Sequence, residues 1–177
     1  MTVDVRRTAR GALAGAVAAG VWAAESPLDV RLFGVPYLDQ ELLGKAVTRG
    51  PLWHAVGVAM HVANGALFGA AYAQVAARLP GPPWGRGALA GLTEHLATWP
   101  LAPLVDRRHP ARADLPSLAA EPRAFAQATW RHFLFGAVLG TLEGRLNRPP
   151  APPLDYEPAI SSNGHGNIER AVGASER

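Results

Sequence analysis

The chain has 177 residues, 49% of them hydrophobic and only 18% charged, with 19 glycines, no cysteine and a formal net charge of +3. The lack of cysteine excludes disulfides, thiolate metal sites and thiol nucleophiles. The length suits one domain, and its positive charge is scattered arginine without a basic stripe, which argues against nucleic acid as a partner.

The first apolar stretch covers residues 11–24, after Arg6, Arg7 and Arg10. A basic flank before an apolar core is also the pattern of a secretory signal peptide. Its opening RGALAG (residues 10–15) recurs at 86–91, deep inside the chain where no signal peptide can stand. A retained helix over about residues 8–27 is therefore expected, with Pro27 near its end. In residues 37–47, Leu38, Leu42, Leu43, Ala46 and Val47 fall at helical spacing, opposite Asp39, Gln40, Glu41 and Lys45. This predicts a short amphipathic helix, lying in the lipid headgroup plane or packed on the bundle.

Further helices are expected over about 52–78, 86–105 and 123–147. A Pro-Gly-rich turn joins the second to the third, and a longer loop, 106–123, precedes the fourth. These three reach the roughly 20 residues that cross a bilayer core. Residues 1–148 thus read as an all-α bundle of four transmembrane helices, and 149–177, poor in apolar residues, as a flexible tail. LFGA also occurs twice, at 67–70 and 134–137. Together the repeats predict a tandem duplication of a helix pair, both copies in the same orientation.

Helices in lipid associate through close packing of small residues. Gly11 and Gly15, Gly65 and Gly69, Gly87 and Gly91, and Gly136 and Gly140 are all spaced by four, so each pair marks one side of its helix. The polar residues of the apolar segments share those sides. They are His61 and Asn64 in the second helix, Glu94 and His95 in the third, and Arg131 and His132 in the fourth, with Glu25 closing the first. A central Asp, Lys or Arg costs about 2.5–3.5 kcal/mol on insertion scales, so such groups should face the bundle interior. At 1.5 Å per residue, Glu94, His95, His61 and His132 fall roughly 12–15 Å below one surface. They are expected to meet near the midplane, with Asn64 a turn deeper and Glu25 closer to the surface.

Three readings compete for this cluster. The preferred one is polar glue between helices. The second is a water-lined or proton-conducting cavity. The third is a bound metal or haem, with His61 and His132 as the natural axial pair. Glu94 and His95 are adjacent and diverge by about 100° on a helix, so they do not readily chelate one ion. No serine lies near these histidines to form a hydrolase triad. No catalytic residue, metal site or cofactor is therefore assigned. The expectation is a non-enzymatic structural or accessory membrane protein, with a small permease or proton-linked channel as the alternative and a haem or metal protein third.

Trp22, Trp53, Trp99 and Trp130 fall towards one membrane face, as an interfacial belt would, and Trp84 towards the other. Lysine and arginine divide evenly between the two faces, so the positive-inside rule is silent. The basic flank of the first helix favours both termini in the cytoplasm. The expected partners are the lipid bilayer and, through the glycine faces, a second copy or another membrane protein.

The run from His61 through Asn64, Gly65, Ala66, Leu67, Phe68 and Gly69 to Tyr72 resembles the second helix of small, uncharacterised multi-pass membrane proteins of high-GC bacteria. Residues 130–136 (WRHFLFG) and 106–110 (DRRHP) are similar to segments of the same proteins. The resemblance spans about residues 8–148 and implies a multi-pass cell-membrane protein. It implies no activity and transfers no catalytic residue.

Overall fold

The computed structural model describes residues 4–148. Among these it is all helix: α1 (Val5–Phe33), α2 (Asp39–Val47), α3 (Trp53–Val75), α4 (Pro83–Thr98), α5 (Ala102–Arg108) and α6 (Pro122–Leu146). The expected tail, 149–177, lies outside the described residues.

Each boundary has a local cause. Asp4 caps α1 by accepting from the Arg7 amide at 3.1 Å. Gly34, at φ 71°, ends that helix in the left-handed conformation that glycine adopts without a Cβ clash. Pro83 opens α4 and Pro122 opens α6, at the first helical position where a missing N–H costs nothing. Glu121 caps α6 by accepting from the Arg123 amide at 3.0 Å.

Two helices differ from expectation. The first does not end near Pro27 but continues to Phe33 with the proline inside. Proline removes one backbone hydrogen bond there, and the residues beyond it are held by buried contacts of Asp29 described below. The third helix, expected over 86–105, is broken. Pro100 and Pro103 each lack an amide hydrogen, and the chain tightens into a 3-10 turn (Trp99–Leu101) before resuming as α5.

The long helices pack as two pairs, α1 with α3 and α4 with α6, joined along a seam between α1 and α6. Glycine sets the distance within each pair. A Cβ on Gly15 would collide with the Gly65 carbonyl, and one on Gly69 with the Gly11 carbonyl. In the second pair a Cβ on Gly87 would strike the Gly136 carbonyl, and one on Gly91 the carbonyl of His132. The two RGALAG motifs thus make corresponding contacts with the helices that carry the two LFGA motifs. Gly140 packs in the same way against Pro83 and Gly87. The short α2 lies on α3 through Gly44 and Gly57, whose backbones touch.

Where the sequence led us to expect four spans, one helix among the described residues, Trp53–Arg78 including its terminal 3-10 turn, is long and apolar enough by length and composition to cross a membrane. The others carry Glu25 and Asp29, or Arg131 and Glu143, within their length, and α4 has only 16 residues.

Candidate functional site

The charges inside α1 and α6 belong to one buried network. Arg131, on α6, has no exposed surface, and neither does the side chain of Asp29 on α1. The guanidinium donates to Asp29 through Nε and, at 2.6 Å, through Nη2. It also donates to Asp39 Oδ2 at 2.9 Å and to the Tyr37 carbonyl at 2.8 Å. Gln127, one helical turn before Arg131, donates to Asp29 at 2.9 Å and to the Val35 carbonyl at 3.3 Å. Trp22 Nε1 donates to Asp39 at 3.1 Å, and the Tyr37 hydroxyl donates to the same carboxylate. Burial first, and then the adjacent Asp39 charge, push the Tyr37 phenol well above its ordinary pKa, so it stays protonated as that donor. The network ties α1, α2, the 34–38 connection and α6 together, which is why α1 runs on past Pro27.

A cavity of about 210 Å³ lies beside this network. Trp22 and Asp39 border it from the network side, His61 and Asn64 from α3, Glu94 from α4 and His132 from α6. Four of the polar residues singled out from sequence, Glu94, His61, His132 and Asn64, therefore do meet. His132 Nδ1 lies 2.7 Å from the Ala128 carbonyl and must carry a hydrogen to bond it. Its Nε2 lies 2.8 Å from Glu94 Oε2. Between two such groups one shared proton satisfies both, whether imidazolium with carboxylate or imidazole with carboxylic acid. His61 is only 6% exposed, and its Nε2 has no hydrogen-bond partner among the described residues.

The remaining sequence candidates lie elsewhere. His95 is not on the cavity wall. Its ring packs 4.8 Å from that of His132, and its Nε2 contacts Thr129 Oγ1 at 3.0 Å. Arg131 turns away to Asp29, and Glu25, one helical turn before Asp29, accepts from Trp130 Nε1 at 2.7 Å. Trp22, expected in an interfacial belt, is instead buried at the centre, its ring 4.9 Å from His61 and 4.7 Å from His132. With Trp22 packed on both rings, those two histidines do not face each other across a space for a haem plane. No group of three potential metal ligands is assembled among the described residues.

Asp29, Asp39 and Gln127 were not singled out from the sequence: Asp29 follows Pro27, where the first helix was expected to end, Asp39 was placed on the polar side of the short amphipathic helix, and Gln127 is an uncharged residue of the fourth helix. Helical spacing was the available signal, since Trp22, Glu25 or Ser26, and Asp29 recur every three or four residues.

The loop before α6 is similarly held. Asp106 accepts from the Leu118 and Ala119 amides at 3.0 and 2.9 Å, and from the Ser117 hydroxyl at 2.8 Å. Partial burial pushes the Asp106 carboxyl upward, but these donors outweigh it and hold the pKa below its ordinary value. His109 joins the loop to α2, its Nε2 donating to the Leu42 carbonyl at 2.9 Å while Nδ1 accepts from the Ala111 amide. The DRRHP motif is thus a loop staple.

In comparisons with known proteins, no family model, curated protein or solved structure matches this chain.

Proposed function

We propose that this chain is a multi-pass integral membrane protein, a bundle of two related helix pairs with a non-enzymatic structural or accessory role. The observation that carries the reading is a leucine-rich exterior over buried, paired charges. Leu67 is 71% exposed, Leu96 60% and Leu13 57%, while the fully buried side chains include Arg131, Asp29, Gln127 and His95 beside Leu139. In water an exposed leucine alone means little, but charged residues are almost never fully buried unless paired. Glycine contacts and paired charges among buried apolar side chains, inside a leucine-rich exterior, suit hydrocarbon solvent. On this reading α1, α3, α4 with its continuation to about residue 105, and α6 cross the bilayer, with Asp106 and the loop after it outside. The duplication is supported by the corresponding glycine contacts of the two pairs. The likeness to multi-pass proteins of high-GC bacteria belongs to the same proposal. The Arg7–Glu143 pair, at 3.0 Å, puts the start of α1 and the end of α6 on one side, which we assign to the cytoplasm.

The absence of cysteine makes the test direct. Single variants Leu13→Cys, Leu67→Cys and Leu89→Cys in sealed vesicles should resist a water-soluble maleimide until detergent is added. Pro80→Cys and Ala120→Cys should label from opposite sides. A chain that stays in solution without detergent, or Leu67→Cys labelling as fast as Pro80→Cys, would refute the reading.

A second reading, a proton-linked permease, is favoured by one observation, the 2.8 Å contact between His132 Nε2 and Glu94 Oε2 at the cavity wall. It requires a pH-driven flux in proteoliposomes that Glu94→Gln abolishes, and no wild-type flux would end it.

A further inference from the structure

Charge does not balance within the buried network. One cation, Arg131, faces two carboxylates, Asp29 and Asp39, and neither has another cationic partner among the described residues. The buried network thus sets one guanidinium against two carboxylates, and one of these, Asp39, borders the cavity.

The other walls of the cavity match that carboxylate. Glu94 has a side chain 39% exposed, with one oxygen engaged by His132. His61, almost wholly buried, presents an unpartnered ring nitrogen. Trp22, Phe68 and Phe135 supply aromatic rings, whose faces attract cations. Carboxylate, free nitrogen and aromatic faces together describe a receptor for a positively charged hydrogen-bond donor. The cavity, of about 210 Å³ and open on one side, admits a small head group. The helices α3 and α4, which carry His61 and Glu94, are not one of the packed pairs.

We propose that this cavity binds a protonated alkyl amine. Its ammonium N–H groups donate to Glu94 and His61, its charge rests against the aromatic rings, and its chain leaves between α3 and α4. The route of the chain into lipid rests on the membrane reading, whereas the head site does not.

The test is calorimetric titration of the full chain in nanodiscs with octylammonium, with empty nanodiscs subtracted and octanol as the uncharged probe of equal length. A chain that does not enter nanodiscs is titrated in buffer, so failure of the membrane reading and failure of the site are separate results. Wild type should bind octylammonium saturably at one site and show no saturable binding of octanol. Glu94→Gln should weaken binding at least tenfold, and His61→Phe, which keeps the ring and removes the nitrogen, at least threefold. Glu94→Asp retains the charge and should bind more tightly than Glu94→Gln. It also replaces Glu94→Gln as the test, against wild type, should that variant misfold. Absence of saturable binding, equal binding of octanol, or unchanged affinity in folded Glu94→Gln overturns the proposal.

Discussion

Replacing Arg131 by methionine isolates the energetics of the buried network. The substitution keeps an unbranched chain in the site and removes the guanidinium that donates to Asp29, Asp39 and the Tyr37 carbonyl. Asp29 keeps only Gln127 as a donor, and Asp39 keeps Trp22 and Tyr37. Two buried carboxylates then lack any counter-charge, and breaking a buried pair in this way costs about 3–5 kcal/mol. At about 2–4 °C per kcal/mol for a domain near this size, the thermal midpoint should fall by about 6–20 °C. Unfolding followed by tryptophan fluorescence in mild detergent measures this, with Trp22 inside the network as reporter. The diagnostic comparison adds Asp29→Asn and Asp39→Asn to Arg131→Met. Removing the stranded charges should restore at least about half of the loss, although two more native groups have been altered. The reasoning fails if Arg131→Met alone costs less than about 1 kcal/mol, or if the triple variant is no more stable than the single one.

The glycines allow a matched pair of changes. Gly87→Ala places a methyl against the Gly136 carbonyl and the Gly140 backbone, neither of which can rotate away, and should cost about 1–3 kcal/mol. Gly20→Ala, also within a helix but with nothing inside 4 Å, should stabilise by about 0.5–1 kcal/mol. Equal midpoints for the two variants would contradict carbonyl-level packing. Asp106 predicts a pH dependence. Its folded pKa is lowered, so its contribution is complete at neutral pH, weakens as pH falls past the ordinary aspartate value, and is gone below the folded value. Hydrogen exchange at the Leu118 and Ala119 amides should lose protection over that acid range, and Asp106→Ala should remove the protection at neutral pH.

The long helices and their contact faces were legible because a four-residue glycine spacing survives any ambiguity about ends. The meeting of Glu94, His61 and His132 was legible for the same reason, since each lies a whole number of turns from a glycine or nearly so. The sequence concealed what depended on a single proline. Pro27 suggested a helix end, yet Asp29 beyond it is anchored by Arg131 and Gln127, residues about a hundred positions away. Pro100 and Pro103 did break their helix, because two prolines three residues apart remove two backbone donors in succession, whereas α1 loses one and has the Asp29 contacts beyond it. Trp22 was misplaced for a related reason. Its partner Asp39 sits on a helix whose polar side was expected to face headgroups.

The seam between the helix pairs is fastened unequally. Near one end Arg131 binds α1, α2 and the 34–38 connection at once, and at the other Arg7 and Glu143 form a single, partly exposed ion pair. Within each pair, backbone-to-backbone glycine contact leaves little slack, so the seam is where the two pairs can shift against each other. Any such shift would be held most tightly at Arg131, with its several partners, and least at the Arg7 end, which makes Arg131 the natural fulcrum between the pairs, with the cavity beside it.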